Sequence, residues 1–198
     1  ADPAVLIVPK DSPFSTAQEL INYAKENPKK VTVSGAGMFV GHHIAFLQFS
    51  KAAGIEMTYI PEKGGVPAMQ SVVASKVKAG FNNLSDSYRN KDRIKILAIA
   101  DLQRHEFLPD VKTFKEMGVD VDDSSVNFRG VAFPKGVPQD IIDKCAEIFQ
   151  KMFNDQKVIN KMKASGSPRR VMTRSEVITM FQEREDYLGP LLKELKKQ

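Results

Sequence analysis

Apolar residues fall along this chain in two alternating periods. Short, mainly apolar runs at 4–8, 31–33, 57–60, 77–81 and 94–100, several rich in β-branched residues, have the length and make-up of buried strands. Between them, apolar positions recur every three to four residues. Leu20, Ile21 and Ala24 share one helical face; Ser15 or Thr16 can cap that helix, with Gln18 or Glu19 three residues on, and it ends near Asn27-Pro28. A second helix is expected over 41–53, closed by Gly54. A third follows Gly64-Gly65 through Ala68, Val72 and Val73, and a short fourth covers 84–91. Strands alternating with helices at this spacing imply βαβ units, an α/β class and a largely parallel sheet.

Past residue 100 the pattern loosens. A polar connector with Pro109 leads to a short helix at 114–117 that stops at Gly118. Alternation over 124–133 predicts a strand. Pro138 then opens a helix with Ile141, Cys145, Ile148 and Met152 on one face. A helical stretch at 158–162 and a short strand at Val171-Met172 come next. Thr173 with Glu176 forms a capping box for the last helix, whose face is Val177, Phe181, Leu188, Leu191 and Leu195, with a kink expected at Pro190. No internal repeat or low-complexity stretch interrupts the chain.

Length and charge narrow the classes. The 198 residues suffice for one large domain or two small lobes. The longest apolar run is strand-sized, so no membrane span is expected. No basic start followed by an apolar stretch is visible, which fits an exported protein whose leader has been removed and a cytosolic protein equally. The net charge of +5 allows anionic ligands or nucleic acid. However, the densest basic runs (Arg89, Lys91, Arg93 and Lys95; Lys193, Lys196 and Lys197) lack interleaved aromatics and read as solvated surface, so no nucleic-acid partner is expected. Cys145 is the sole cysteine; it cannot form an intrachain disulfide and reads as a small core residue.

Candidate chemistry concentrates where strands hand over to helices. Ser34-Gly35-Ala36-Gly37-Met38-Phe39-Val40-Gly41-His42-His43 follows a strand and opens a helix. Its small residues let backbone amides approach a ligand, and the helix start adds partial positive charge, which together suit a carboxylate or phosphate. A dinucleotide fingerprint competes, but the third glycine, Gly41, falls one residue late. A glycine-rich turn that binds nothing is the bland alternative. His42 and His43 project about 100° apart on a helix, so they do not share a metal readily. Either is placed to donate to an anion, or to be a partly exposed first-turn histidine. Glu62-Lys63-Gly64-Gly65 is a second such junction, with Lys63 as a nearby cation, and Asn82-Asn83-Leu84-Ser85-Asp86 is a third. All three lie at the carboxyl ends of expected strands, the edge at which open α/β sheets bind ligands. Arg129, inside an apolar stretch, calls for an anionic partner or reaches solvent from an edge strand. No nucleophile elbow, cysteine–histidine pair or zinc spacing stands out, so no catalytic residue, metal or cofactor is expected.

These junctions, in this order, resemble the extracytoplasmic solute receptors of tripartite tricarboxylate transporters, the Bug or TctC family. The resemblance runs through Leu6-Ile7-Val8-Pro9 with Ser12-Pro13-Phe14, the 33–43 segment, Ala52-Ala53-Gly54-Ile55, Lys63-Gly64-Gly65-Val66-Pro67-Ala68 and Phe81-Asn82-Asn83-Leu84. It continues through Leu97-Ala98-Ile99-Ala100, Leu108-Pro109-Asp110-Val111 with Thr113-Phe114, and Phe128-Arg129-Gly130-Val131 on to Pro138. It implies a two-lobed, type II periplasmic-binding-protein-like fold that closes on a small carboxylate, without catalysis, for delivery to membrane permease subunits. A monomer in the periplasm is implied.

On this resemblance, residues 10–127 form the second lobe, while 1–9 and 128–198 form what is present of the first, whose own glycine-rich ligand loop is absent. The ligand contacts it implies are Ser34, Gly35, Ala36, Gly37, Gly41, His42, His43, Lys63, Gly64, Asn83 and Asp86, with Arg129 at the lobe crossover. Two substitutions depart from many members: Glu62 stands where they carry Tyr, and Asn82 where they carry Asp. The alternatives are the effector-sensing domain of a transcription regulator, which shares the two-lobed architecture, and a nucleotide-dependent enzyme using residues 34–41.

Overall fold

The computed structural model describes residues 1–195, with the side chains of Leu191, Leu192, Glu194 and Leu195 outside the described set. The expected placement of Leu191 and Leu195 on the last helical face, and the tail lysines Lys196 and Lys197, therefore lie outside the described residues. The chain divides into two compact units, Ala1–Phe128 and Arg129–Gln198.

The first unit is an α/β layer structure. Its elements are β1 (Ala4–Pro9), α1 (Ala17–Glu26), β2 (Thr32–Ala36), α2 (Gly41–Ala53), β3 (Thr58–Glu62), α3 (Gly65–Val73), β4 (Ala79–Asn83), α4 (Leu84–Arg89) and β5 (Ile94–Ile99), followed by a 3₁₀ turn at Lys115–Met117. The five strands form one sheet in the order β3-β2-β4-β1-β5. β2 pairs in parallel with both β3 and β4, whereas β1 runs antiparallel to β4 and β5, so four strands point one way and β1 alone is reversed.

β1 changes the expected partition. The resemblance places residues 1–9 with the lobe of 128–198, whereas β1 lies between β4 and β5 in the first unit's sheet. The reason is its composition. Every residue from Ala4 to Pro9 is buried, and a run that is apolar on both faces needs strands at both edges and a layer on each side. Its alternation sorts two cores. Ala4, Leu6 and Val8 pack with α1, α2 and the Phe114–Val121 segment; Val5 and Ile7 pack with Met69 and Val72 of α3 and with Leu84. Register shifts at β5: Leu6 pairs with Ala98 but Ile7 with Ile96, so Leu97 bulges and joins Ala98 in the first core.

The local signals work as physics requires. Thr16 caps α1 by accepting the Glu19 amide at 3.2 Å, while the Glu19 carboxylate accepts the Ser15 and Thr16 amides at 2.6 and 3.3 Å. Gly54 closes α2 in the left-handed conformation (φ 61°). The strand expected at 124–133 does not form. Asn127 makes an isolated bridge to Asp2: its amide donates to the Asp2 carbonyl at 3.1 Å and its carbonyl accepts the Asp2 amide at 2.7 Å. Phe128 and Arg129 beyond it are exposed.

The second unit holds α5 (Gln139–Asn154), α6 (Gln156–Ala164) and α7 (Arg174–Leu195). Asp155 caps α6 through the Lys157 and Val158 amides, and Thr173 with Glu176 begins α7. Val171-Met172 forms no strand. α7 runs through Pro190, which has no amide to give to the Asp186 carbonyl. Ile141, Ile148 and Met152 of α5 and Ile178 and Phe181 of α7 remain exposed, and Cys145 is half-buried rather than core.

Candidate functional site

The carboxyl ends of β2, β3 and β4 gather three loops at one sheet edge. Two of them lead into α2 and α3, whose N-cap residues Val40 and Gly64 supply no side-chain acceptor to the first amides. Gly64 sits at φ 125°, a conformation that only glycine adopts without strain. Amides at the start of a helix have no intrahelical partner, so the starts of α2 and α3 present N–H groups and the positive ends of two helix dipoles. Such a start attracts a carboxylate or phosphate.

The β2–α2 loop is fastened at several points. Nδ1 of His42 accepts the Ala36 amide at 3.1 Å, and Nδ1 of His43 accepts the Phe39 amide at 3.1 Å. The Tyr59 hydroxyl donates to the Gly37 carbonyl at 2.9 Å. Phe39 holds φ 59°, a left-handed conformation that costs an aromatic residue about 1–2 kcal/mol. Gly41 packs so closely that a Cβ there would lie 2.3 Å from the Ser125 carbonyl oxygen. Met38, Phe39 and Val40 are 49%, 42% and 43% exposed, which leaves an apolar rim beside the helix start.

The histidines are buried, not partly exposed first-turn residues. Burial holds both imidazoles below the usual histidine range; at His42 the Asn83 contact and the carboxylates of Asp86 and Asp2 oppose it. Since Nδ1 of His42 accepts, Nε2 carries the proton and donates to Asn83 Oδ1 at 2.9 Å. The same oxygen accepts from Asn127 Nδ2 at 2.6 Å. Asn82 donates to the Gly65 carbonyl at 2.8 Å, which ties β4 to the start of α3. Asp86 lies beside Gly65 and pairs with Arg89 at 2.6 Å, and Glu62 accepts from the Ser71 hydroxyl at 2.6 Å.

Of the residues expected at the site, the structure brings Ala36, Gly37, Gly41, His42, His43, Gly64, Asn83 and Asp86 to this edge. Ser34 and Gly35 instead lie within β2. The Ser34 hydroxyl is buried on the Ala68 carbonyl at 3.0 Å, and Gly35 is packed under Tyr59. Lys63 is exposed between β3 and α3, and Arg129 begins the second unit. The glycine pattern read as a dinucleotide fingerprint has a different use, because Gly41 is small to admit Ser125 and Asn127. His42 has both ring nitrogens committed within the protein, to the Ala36 amide and to Asn83. Among the described residues no three His, Cys, Asp or Glu side chains gather as a metal would need. Tyr59, Asn127 and Asp2 escaped the sequence reading; nothing local marks them, because each acts on a loop distant in the chain.

The sequence model described as the tripartite tricarboxylate transporter family receptor matches residues 1–196. The chain is 29% identical over 166 residues to a protein encoded in the tcbD-tcbE intergenic region of a Pseudomonas species; the match covers 83% of this chain and 49% of the relative. It superposes on a TctC solute-binding protein from Polaromonas with a TM-score of 0.76 at 24% identity, over 97% of this chain and 66% of that one. A Rhodopseudomonas palustris protein solved with adipate gives 0.84 at 20% identity, over 97% of this chain and 64% of that one. The chain thus spans about half the length of that Pseudomonas relative and just under two thirds of these solved proteins. Bug-type architecture, expected from the order of the glycine junctions, is met in both sequence and fold, and the chain belongs to the tripartite tricarboxylate transporter receptor family.

Proposed function

We propose that this chain is a solute receptor that captures a small carboxylate at the carboxyl edge of its first unit and delivers it to membrane permease subunits. It works outside the cytoplasm, as a monomer, and catalyses nothing. The observation that carries this reading is the pair of helix starts, at Gly41 and Gly65, that share one sheet edge without a side-chain cap on either. Arg89 offsets the charge of Asp86 beside Gly65, so that the acid does not cancel the attraction for an anion. The family as a whole consists of transport receptors, and a relative of the same fold was solved with the dicarboxylate adipate.

Thermal unfolding of the purified chain against di-, tri- and aromatic carboxylates tests the proposal. A ligand at 100 times its dissociation constant adds about 2.7 kcal/mol to stability. The expected result is a concentration-dependent rise in Tm with one chemical subset, matched by saturable heat in titration calorimetry. A cooperative transition that no carboxylate moves, with no heat of binding at millimolar concentration, would rule out carboxylate capture by this chain.

A further inference from the structure

We propose that His42 and His43 are positioning residues for the loop that meets the ligand: as neutral acceptors they hold the Ala36 and Phe39 amides, and protonation of either ring releases its end of the loop. This rests on the reading that the 36–41 loop contacts the solute.

The geometry is specific. Two adjacent histidines at the start of α2 turn their Nδ1 atoms back onto the loop that precedes them, each at 3.1 Å from a backbone amide. A neutral imidazole offers one acceptor nitrogen, and an imidazolium offers none. Protonated, each Nδ1–H would confront an amide N–H, two donors with no acceptor between them. The fastening is needed where it falls. Phe39 is the residue held at positive φ, and its amide is the one that His43 takes. The Phe39 ring in turn lies edge-on to His43 at 5.4 Å between centroids, so backbone and side chain are held by one imidazole.

His42 extends the link. Its Nε2–H donates to Asn83, which also accepts from Asn127, whose backbone is paired with Asp2. The loop is thereby joined through three side chains to the segment where the first unit ends. The groups facing His42 are Asp86 from α4, Asp2 from the chain's start, and Asn83. Tyr59 of β3, Phe39 and Phe46 face His43. Burial of the ring opposes a charge on His42 and prevails over the Asn83 contact and the carboxylates of Asp86 and Asp2, which favour it.

The test needs no ligand. Nitrogen-15 NMR of the intact chain reads the histidine tautomers, and amide hydrogen exchange reads protection at Ala36 and Phe39 from pH 7.5 to 5. Both rings should carry the proton on Nε2 at pH 7.5. Protection at the two amides should fall together with ring protonation below pH 6.5, while the Phe81 amide in β4 stays protected. At pH 7.5, His43→Leu should raise Phe39 exchange about five- to tenfold, the loss of one hydrogen bond. His43→Asn, which keeps an acceptor near the Nδ1 position, should restore protection and abolish the acid step at Phe39. Flat protection across this range in the wild-type chain, or Nδ1-protonated rings at pH 7.5, overturns the proposal. The two readings fail separately. An acid step in a chain that binds no carboxylate removes only the solute assignment; carboxylate binding with flat protection removes the histidine role.

Discussion

The carboxylate of Asp2 grips Ser85 at the start of α4: Oδ1 accepts the Ser85 amide at 2.9 Å and Oδ2 accepts its hydroxyl at 2.6 Å. Asp2 is 2% exposed, so these bonds stand in for the water it has lost. The Pro3 carbonyl accepts the Leu84 amide alongside at 2.8 Å, which pins the end of β4 to the strand that starts at Ala4. Replacing Asp2 by Ala removes two charge-assisted bonds and leaves the Ser85 hydroxyl buried. We expect a loss of about 2–4 kcal/mol in urea unfolding, with an unchanged m-value. A loss below about 0.5 kcal/mol would mean that the cap contributes nothing.

Gly41 and Gly65 begin α2 and α3, neither of which has a side-chain cap, yet they differ in the space around them. A Cβ on Gly41 would meet the Ser125 carbonyl oxygen at 2.3 Å and Asn127 Oδ1 at 2.9 Å, whereas one on Gly65 would find its nearest neighbours at 3.6 Å. Gly41→Ala must therefore push the 125–127 backbone away and should cost about 1–3 kcal/mol, the usual penalty for overpacking. Gly65→Ala should leave stability within about 1 kcal/mol. If the start of α3 contacts a carboxylate, Gly65→Ala should weaken binding while leaving Tm nearly unchanged. Paired thermal melts and calorimetric titrations separate the two effects.

The fold was legible wherever local chemistry decides it. Thr16 with Glu19 and Gly54 after α2 are signals complete within a few residues, and the helices they bound formed as read. β2 was read too short because Ser34-Gly35 looks like a turn. What makes it strand is distant: Tyr59 lies over Gly35 and Ala68 takes the Ser34 hydroxyl. The alternation at 124–133 had the right period, but only Asn127 has a strand partner, Asp2, more than a hundred residues away. The site edge was visible from glycine-led helix starts. The inward turn of His42 and His43 was not, because a sequence shows that two histidines open a helix but not that the loop before them folds back over their rings.

Glu116 offers a check on a surface network. Its carboxylate accepts from Arg104 Nε at 3.0 and 3.1 Å and from the Thr113 amide at 2.8 Å, at the turn that ends with Gly118. The Arg104 hydrogen bond, then the Thr113 amide, pull its pKa down to about 2. Carbon-13 NMR of the glutamate carboxyls should find Glu116 titrating well below the others. Arg104→Ala should return its midpoint most of the way to the ordinary range near 4.5. An unperturbed Glu116 in the wild-type chain would show that the pair is not held in solution.

The three histidines set the direction of the chain's pH dependence between neutrality and the carboxylate range. Burial lowers His42, His43 and His105 alike from the ordinary 6.5. A histidine lowered in the folded state binds fewer protons there than in the unfolded chain, so acid favours unfolding. The stability it contributes is present above pH 6.5 and is lost as pH falls through the folded-state value. Urea unfolding at pH 7.5, 6.5 and 5.5 should therefore show a progressive decline before most carboxylates begin to titrate. His105, edge-on to Phe107 at 4.9 Å, accepts the Phe107 amide rather than one of the 36–41 loop and serves as the internal comparison. The double variant His42→Asn, His43→Asn should flatten most of the decline, and His105→Asn a smaller part. Stability that rises on acidification from 7.5 to 5.5 would require at least one of these rings to be held charged in the fold, which the acceptor roles of His42 and His43 do not allow.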